Sequence, residues 1–523
     1  MAEKNKKFKN QKGLEVYLRA KDSKTLDEHK QIRSLSLHYS KFTDLPPEIG
    51  QLENLEYLSL RSSKIATLPP EIGQLKKLKS LDLAYTNIVE LSPEIGQLES
   101  LEKLDLQSTI VKKLPAEIGQ LPNLHTLYLG ITAIEEIPQE VVQLTKLNLL
   151  NLNYSNRYPK NLHHFAHLEF LLLYGSECQT FPIELTQITT LKSIDLSHSA
   201  ITTLPPEIGN LTCLESIDLR YANIDTLPPE ISDCSNLQLL NLNFTKITEL
   251  PPKIGLLDKL QTLKLAHTKL TKLPPEIGDL ANLKTLDASQ IRISELPIEI
   301  SKLDKLQDLN LNGTFLTQLP SEIGKLTQLE SLNLNSSNLV ELPPEIGRLT
   351  QLKYLKLHGT YIEKLPKEII HLKNLIALRL SGSVFSVIPP ELGCLSQLQV
   401  LNLRETPIEE VPKELYTLKN LKNLDITFTS IKEVPAEVRQ IPGLKIHITK
   451  ATSISSHNSL HKSYQLRSTA KPNYAPKGVE LDLIAYVDTE QHEQIEQAKQ
   501  TLVHFVGELG LTLKQGESDD RLP

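Results

Sequence analysis

Tryptophan is absent from this 523-residue chain, methionine occurs once, and aromatic residues make up only 5% of the total. Leucine and isoleucine must therefore build the core. Four cysteines in such a length make no disulfide framework, and no Cys-x-x-Cys pair occurs. No apolar run is long enough to cross a bilayer or to serve as a signal sequence, and Ala2 stands where an N-myristoyl anchor needs glycine. A cytoplasmic protein without membrane insertion is the expectation. A net charge of −6 gives no electrostatic footprint for nucleic acid, so none is expected as a partner.

What is present is a repeat of fixed period. Leu55 to Lys77 runs LEYLSLRSSKIATLPPEIGQLKK, and Leu78 opens the next unit as LKSLDLAYTNIVELSPEIGQLES. The frame holds from Ile32 to a partial strand around Leu444–Ile448, giving about eighteen turns. In L-x-x-L-x-L the side chains alternate inward and outward, the pattern of a short strand with one buried face. In L-P-P-E-I-G-x-L a proline near the first helical position and a glutamate in the first turn start a short helical segment, and the glycine is expected to let the chain leave it. One turn cannot bury its own apolar face, so successive turns must stack. Eighteen rungs at the usual strand spacing give a concave arc roughly 85 Å long.

These motifs resemble those of intracellular leucine-rich-repeat proteins with the L-P-x-E-I-G-x-L consensus, similar to the Ras-group scaffolds and the repeat regions of bacterial Roco proteins. The resemblance implies an α/β fold, a leucine-rich-repeat solenoid (horseshoe) with a parallel concave sheet, and a non-enzymatic role holding protein partners, often signalling components. One departure is that the position eight residues after each first leucine is Thr or Ser in sixteen turns, where many members have Asn. A hydroxyl donates and accepts, so this column is expected to tie one loop to the next, broken only at Ala222 and Ile291.

The ends differ. Residues 1–31 carry a basic tail and, from Gly13 to Lys30, an amphipathic stretch placed to cap the first exposed core of a 32–448 solenoid. Residues 449–478 are polar and aperiodic, the composition of a flexible linker. Residues 479–523 read as a small C-terminal β-α-β module, a size at the lower limit of independent stability.

No chemistry-bearing motif stands out. There is no G-x-x-x-x-G-K-[ST], H-E-x-x-H, G-x-S-x-G or kinase-type loop, and no cysteine follows Cys394. No enzyme and no cofactor are expected. Cys178 and Cys234 take positions that elsewhere hold a core Ile or Leu and should be buried, whereas Cys213 and Cys394 should be exposed. His163 and His167 are spaced i, i+4, but Leu162 and Phe165 take the inward positions of that turn, so the histidines should face solvent and hold no metal.

The outward strand positions gather an apolar and aromatic cluster in turns five to eleven: Tyr128, Ile131, Leu149, Tyr154, Phe170, Leu172, Tyr174, Tyr221 and Phe244, with His198, Leu239 and His267 among them. Aromatics gathered on one face make a protein-binding hot spot, so a protein partner is expected on the concave sheet. Turn six has 21 residues, lacks L-P-P-E-I-G and falls within this cluster, where a broken pattern points to function. A charge gradient also runs along the sheet. Asp82, Asp105, Asp195 and Asp218 stand in one half, and Lys264, Lys356, His358, Arg379 and Arg404 in the other. The expected function is a protein-binding scaffold or adaptor in intracellular signalling; the alternative is the sensor half of an effector or enzyme whose activity depends on the C-terminal module or an associated protein.

Overall fold

The structure, a computed structural model, describes residues 31–40 and 43–448. The expected capping stretch, the polar linker and the β-α-β module lie outside the described residues. Within them, nineteen strands of three residues each, from Ser34–Ser36 to Lys445–His447, form one parallel sheet in which each strand pairs with the next in sequence. This is the leucine-rich-repeat solenoid architecture.

Register follows the repeat length. Leu58 pairs with Leu81 and Leu81 with Leu104, a step of one full turn, and the middle residue of each strand points into the core. In the second turn Leu55, Leu58, Leu60, Ile65, Ile72 and Leu75 are all buried, and the same columns recur in the turns that follow. At turn six Leu149 pairs with Phe170, a step two residues shorter. The shortening is therefore absorbed in the return loop, and the sheet passes through turn six undisturbed.

The return segments are 3-10 helices, not α-helices, except for the single α-helical turn Ala436–Arg439. In the second turn Pro69 is held extended by the proline after it, Pro70 supplies a helical φ without an N–H to leave unpaired, and Leu75 N–H donates to Ile72 O at 3.2 Å. Glycine does not serve as the exit from this segment. Gly73 and Gly119 lie inside it without positive φ, pressed against the following turn, where an added Cβ would stand 2.8 Å and 2.4 Å from the main-chain oxygens of Glu94 and Glu140. Close approach of neighbouring backbones, not chain reversal, favours glycine here, although other turns admit Ser232 or Thr186 at the same position.

The hydroxyl column also acts differently from the expectation. Thr86, Thr109, Thr245, Thr314 and Thr406 donate to the carbonyl three residues back, at 2.6–2.8 Å, closing each loop onto its own strand. Ser176 instead reaches the preceding turn, at Ser155 O.

Candidate functional site

Each strand ends in a device that turns the chain off the sheet. The residue at the strand's end is commonly Asp or Asn, and its side-chain oxygen accepts the main-chain N–H two residues on: Asp82 from Ala84, Asp195 from Ser197, Asp218 from Arg220, Asn241 from Asn243. The next residue is left-handed in all eighteen turns. Four are glycine (Gly175, Gly313, Gly359 and Gly382), but Tyr154, His198, Tyr221, Phe244 and His267 hold φ of 57–60° with full side chains. A left-handed L-residue costs about 1–2 kcal/mol, a cost that glycine avoids and that a side-chain contact can offset.

The contact is ring stacking. Tyr154 meets Tyr174 edge to face at 5.2 Å, Tyr174 meets His198 at 5.1 Å, and His198, Tyr221, Phe244 and His267 then stack at 4.4, 4.3 and 4.2 Å with interplanar angles of 9–19°. Each such pair contributes about 0.5–1.5 kcal/mol beyond its buried area, and a ring stacked on both sides offsets the left-handed backbone. The backbone does not demand rings, since Ser62, Ser108 and Ser336 hold the same φ. Six rings from successive turns thus form one unbroken ladder just past the strand ends of the parallel sheet. Tyr174, one position ahead of the others, bridges the gap at Gly175.

The structure divides the expected cluster. Tyr154, Tyr174, Tyr221 and Phe244 join His198 and His267 in the ladder. Leu149 and Phe170 are register partners on the floor of the sheet, Phe170 exposed and Leu149 half-buried, and Leu172 continues that floor between Asn151 and Asp195. Ile131 is exposed and holds the left-handed position one turn before Tyr154. Tyr128 stands apart, with the Lys103 ammonium 4.6 Å over its ring. Spacing of 23 residues among His198, Tyr221, Phe244 and His267 was the signal for stacking, and it included two histidines that composition alone would not have joined to the tyrosines.

The acidic half of the expected charge gradient is committed to structure. Its aspartates accept the backbone bonds that shape the strand ends. Asp218 also pairs with Arg220 at 3.2 Å, and Arg61 lies 4.0 and 3.9 Å from Asp82 and Asp105. Burial pushes the Asp105 carboxyl up to about 6. In the basic half, Arg404 pairs with Glu405, and His358 shares a hydrogen bond with Ser381. Burial lowers the His267 imidazole below its ordinary range, and burial, then the Arg220 charge, lowers that of His198, so both rings are neutral at neutral pH.

Two further expectations are corrected. His163 and His164 are half-buried and not turned to solvent. Their rings meet at 4.6 Å, His164 Nδ1 lies 3.2 Å from Ile137 O, and only His167 of the three is exposed. Cys178 is half-buried, where a fully buried residue was expected; Cys234 is buried, and Cys213 and Cys394 are exposed. Among the described residues no group of three or more His, Cys, Asp or Glu is placed to hold a metal, and no helix is long and apolar enough to cross a membrane.

The sequence matches the family described as leucine-rich repeat region over residues 14–109, 103–198, 230–309 and 276–344, and that described as leucine rich repeat over 189–247 and 327–385. The chain belongs to the leucine-rich-repeat family. Among solved structures, a leucine-rich-repeat protein of Leptospira interrogans is 32% identical, with a TM-score of 0.60, and the match covers 80% of this chain and 97% of that one. The Arabidopsis receptor kinase HAESA, solved with the peptide hormone IDA and the co-receptor SERK1, is 23% identical (TM-score 0.50; 80% of this chain, 82% of that one). Drosophila Toll, from its complex with Spatzle, is 21% identical (TM-score 0.62; 77% and 56%). At these lower identities the likeness shows the fold alone. No curated protein matches this leucine-rich-repeat chain. Leucine-rich-repeat proteins generally mediate protein–protein interaction, and the fold is typically a non-enzymatic interaction domain.

Proposed function

We propose that the chain is a protein-binding scaffold that holds a partner polypeptide on its concave face, against the ring ladder and the adjoining Leu149–Phe170 floor. The observation that carries this reading is the unbroken ladder from Tyr154 to His267. Rings locked by mutual stacking lose little side-chain freedom when a partner arrives, which is the preorganisation that high-affinity surfaces use. Exposure of Tyr154, Phe170, Tyr221 and Phe244, each at 38–46%, leaves apolar area for a partner to cover.

Part of this reading is a cytoplasmic scaffold in intracellular signalling. Exposed free thiols at Cys213 and Cys394 suit a reducing compartment. The direct test is capture from native lysate with the full chain beside a variant carrying Tyr154→Ala, Phe170→Ala and Phe244→Ala. These partly exposed side chains can be removed without emptying the aliphatic core, so the variant should stay folded, melting somewhat below the parent because the stacking of Tyr154 and Phe244 is lost. A partner held by the parent and lost from the variant supports the reading. Identical captures contradict it.

A further inference from the structure

The two ends of the ladder differ in what stands beside them. Two residues beyond each left-handed position the chain has moved onto the rim, no more than about 7 Å away. Over the first part of the ladder these rim positions hold Asn156, Glu177, Ala200 and Asn223. Beside Phe244, His267 and the next left-handed residue, Gln290, they hold Lys246, Lys269 and Arg292. All three cations are exposed, and each main-chain N–H donates to the preceding turn, to Ile224 O, Ile247 O and Leu270 O at 2.9, 2.9 and 3.1 Å. Their backbones therefore stand in consecutive rungs about 4.8 Å apart, and the side chains project from neighbouring positions. On the sheet side, Lys264 lies between Asn241 and Asp287 in register.

None of these four cations makes an ion pair among the described residues, whereas Lys192, Arg220, Lys302 and Lys353 do. Asp225, Glu249 and Glu295 stand farther round the loops, two or three residues past the rim positions. The nearby sheet aspartates, Asp218 and Asp287, already accept backbone bonds, Asp287 lying beside Lys264 in register.

The stack reinforces the same sign. Rings packed face to face cover one another's negative faces and turn their positive C–H edges outward. A partner's cation has no open face of Tyr221 or Phe244 to sit on. A nucleic-acid base, which binds by stacking on an open ring, has no room between rings 4.2–4.4 Å apart. Carboxylates meet both the cations and the ring edges favourably.

We infer that the carboxy-terminal part of the ladder, Tyr221 and Phe244 together with Lys246, Lys269, Arg292 and Lys264, receives an acidic segment of a polypeptide. Its carboxylates pair with the cations, and its apolar side chains lie against the ring edges. This rests on the proposed role of the ladder as the binding surface.

The test uses the full chain and three fluorescent probes: a short peptide of alternating Glu and Tyr, its Lys and Tyr counterpart, and oligothymidine, each titrated by anisotropy. The Glu–Tyr peptide should bind, and more weakly as salt rises. Joint Lys246→Glu, Lys269→Glu and Arg292→Glu should weaken it by about tenfold or more and admit the Lys–Tyr peptide. Tyr221→Ala with Phe244→Ala should also weaken it while leaving the cations in place. Preference for the Lys–Tyr peptide overturns the acidic assignment; if that binding is lost in the Tyr221/Phe244 variant, the ladder survives as the binding surface. Binding of oligothymidine alone, indifference of the Glu–Tyr peptide to charge reversal, or no binding by any probe also overturns it. Glu–Tyr binding that ignores the loss of both rings overturns the ladder itself.

Discussion

The ring of Tyr154 lies over the backbone of Gly175, so that a Cβ on Gly175 would stand 2.7 Å from the ring's Cδ1 atom. Gly175 also has φ +64°, so an L side chain is disfavoured there twice over. Gly175→Ala should destabilise the fold by more than the about 1–2 kcal/mol of the left-handed backbone, because Tyr154 must also be displaced. Gly359→Ala, at a similar φ but with the nearest atom 3.6 Å away, should carry the backbone part alone. Urea melts of the two variants separate these contributions, and only Gly175→Ala should weaken partner binding.

The glycines of the 3-10 segments answer to a different constraint. A Cβ on Gly278 would stand 2.2 Å from the main-chain oxygen of Glu299. Because a backbone atom of the next turn cannot move without its whole rung, Gly278→Ala should destabilise by about 1–3 kcal/mol. Thermal melting checks this. A variant as stable as the parent would show that adjacent turns slide apart freely.

Thr245 and Ser63 occupy the same place in their turns but differ in bonding. Thr245 Oγ1 donates to Leu242 O at 2.7 Å, while Ser63 Oγ is buried without a partner. Thr245→Val should therefore cost about 1 kcal/mol, and Ser63→Ala should be neutral or slightly stabilising. Chemical denaturation of both variants reads the difference.

Asp105 places a carboxylate where burial opposes its charge, and its group holds a proton up to about pH 6 in the folded chain. Folding then binds a proton more tightly than the unfolded chain does, so stability falls as pH rises from about 4 to about 6 and is lowest above that window. Asn supplies the same side-chain oxygen to the N–H two residues on at Asn151, Asn241 and Asn310. Asp105→Asn should keep the bond that Gln107 N–H makes to Asp105, remove the buried charge, and stabilise by about 1–2 kcal/mol near pH 7. Near pH 4 the gain should vanish. Urea titrations at the two pH values check both statements.

The solenoid was legible because its code is redundant: Leu58, Leu81 and Leu104 say the same thing in successive turns, and a parallel sheet is the arrangement that buries them all. The aromatic cluster was legible as a column of residue types. Its order was not, because stacking depends on the left-handed φ at Tyr221 and Phe244, which nothing about tyrosine or phenylalanine announces. The second role of Asp195 and Asp218 was hidden for a related reason, since residue type alone does not show that an aspartate at a strand end also bonds its own backbone. Where turn six is short was not legible. Its deletion falls in the return loop, and Leu149 and Phe170 remain paired on the sheet.

Binding of a partner polypeptide at the ring ladder can be read by selecting ligands for the full chain from a random peptide library and measuring each on the Tyr221→Ala, Phe244→Ala variant. Enriched peptides should compete with one another and lose about tenfold or more in affinity on the variant. Peptides that bind parent and variant alike would place the binding surface elsewhere and contradict binding at the ladder.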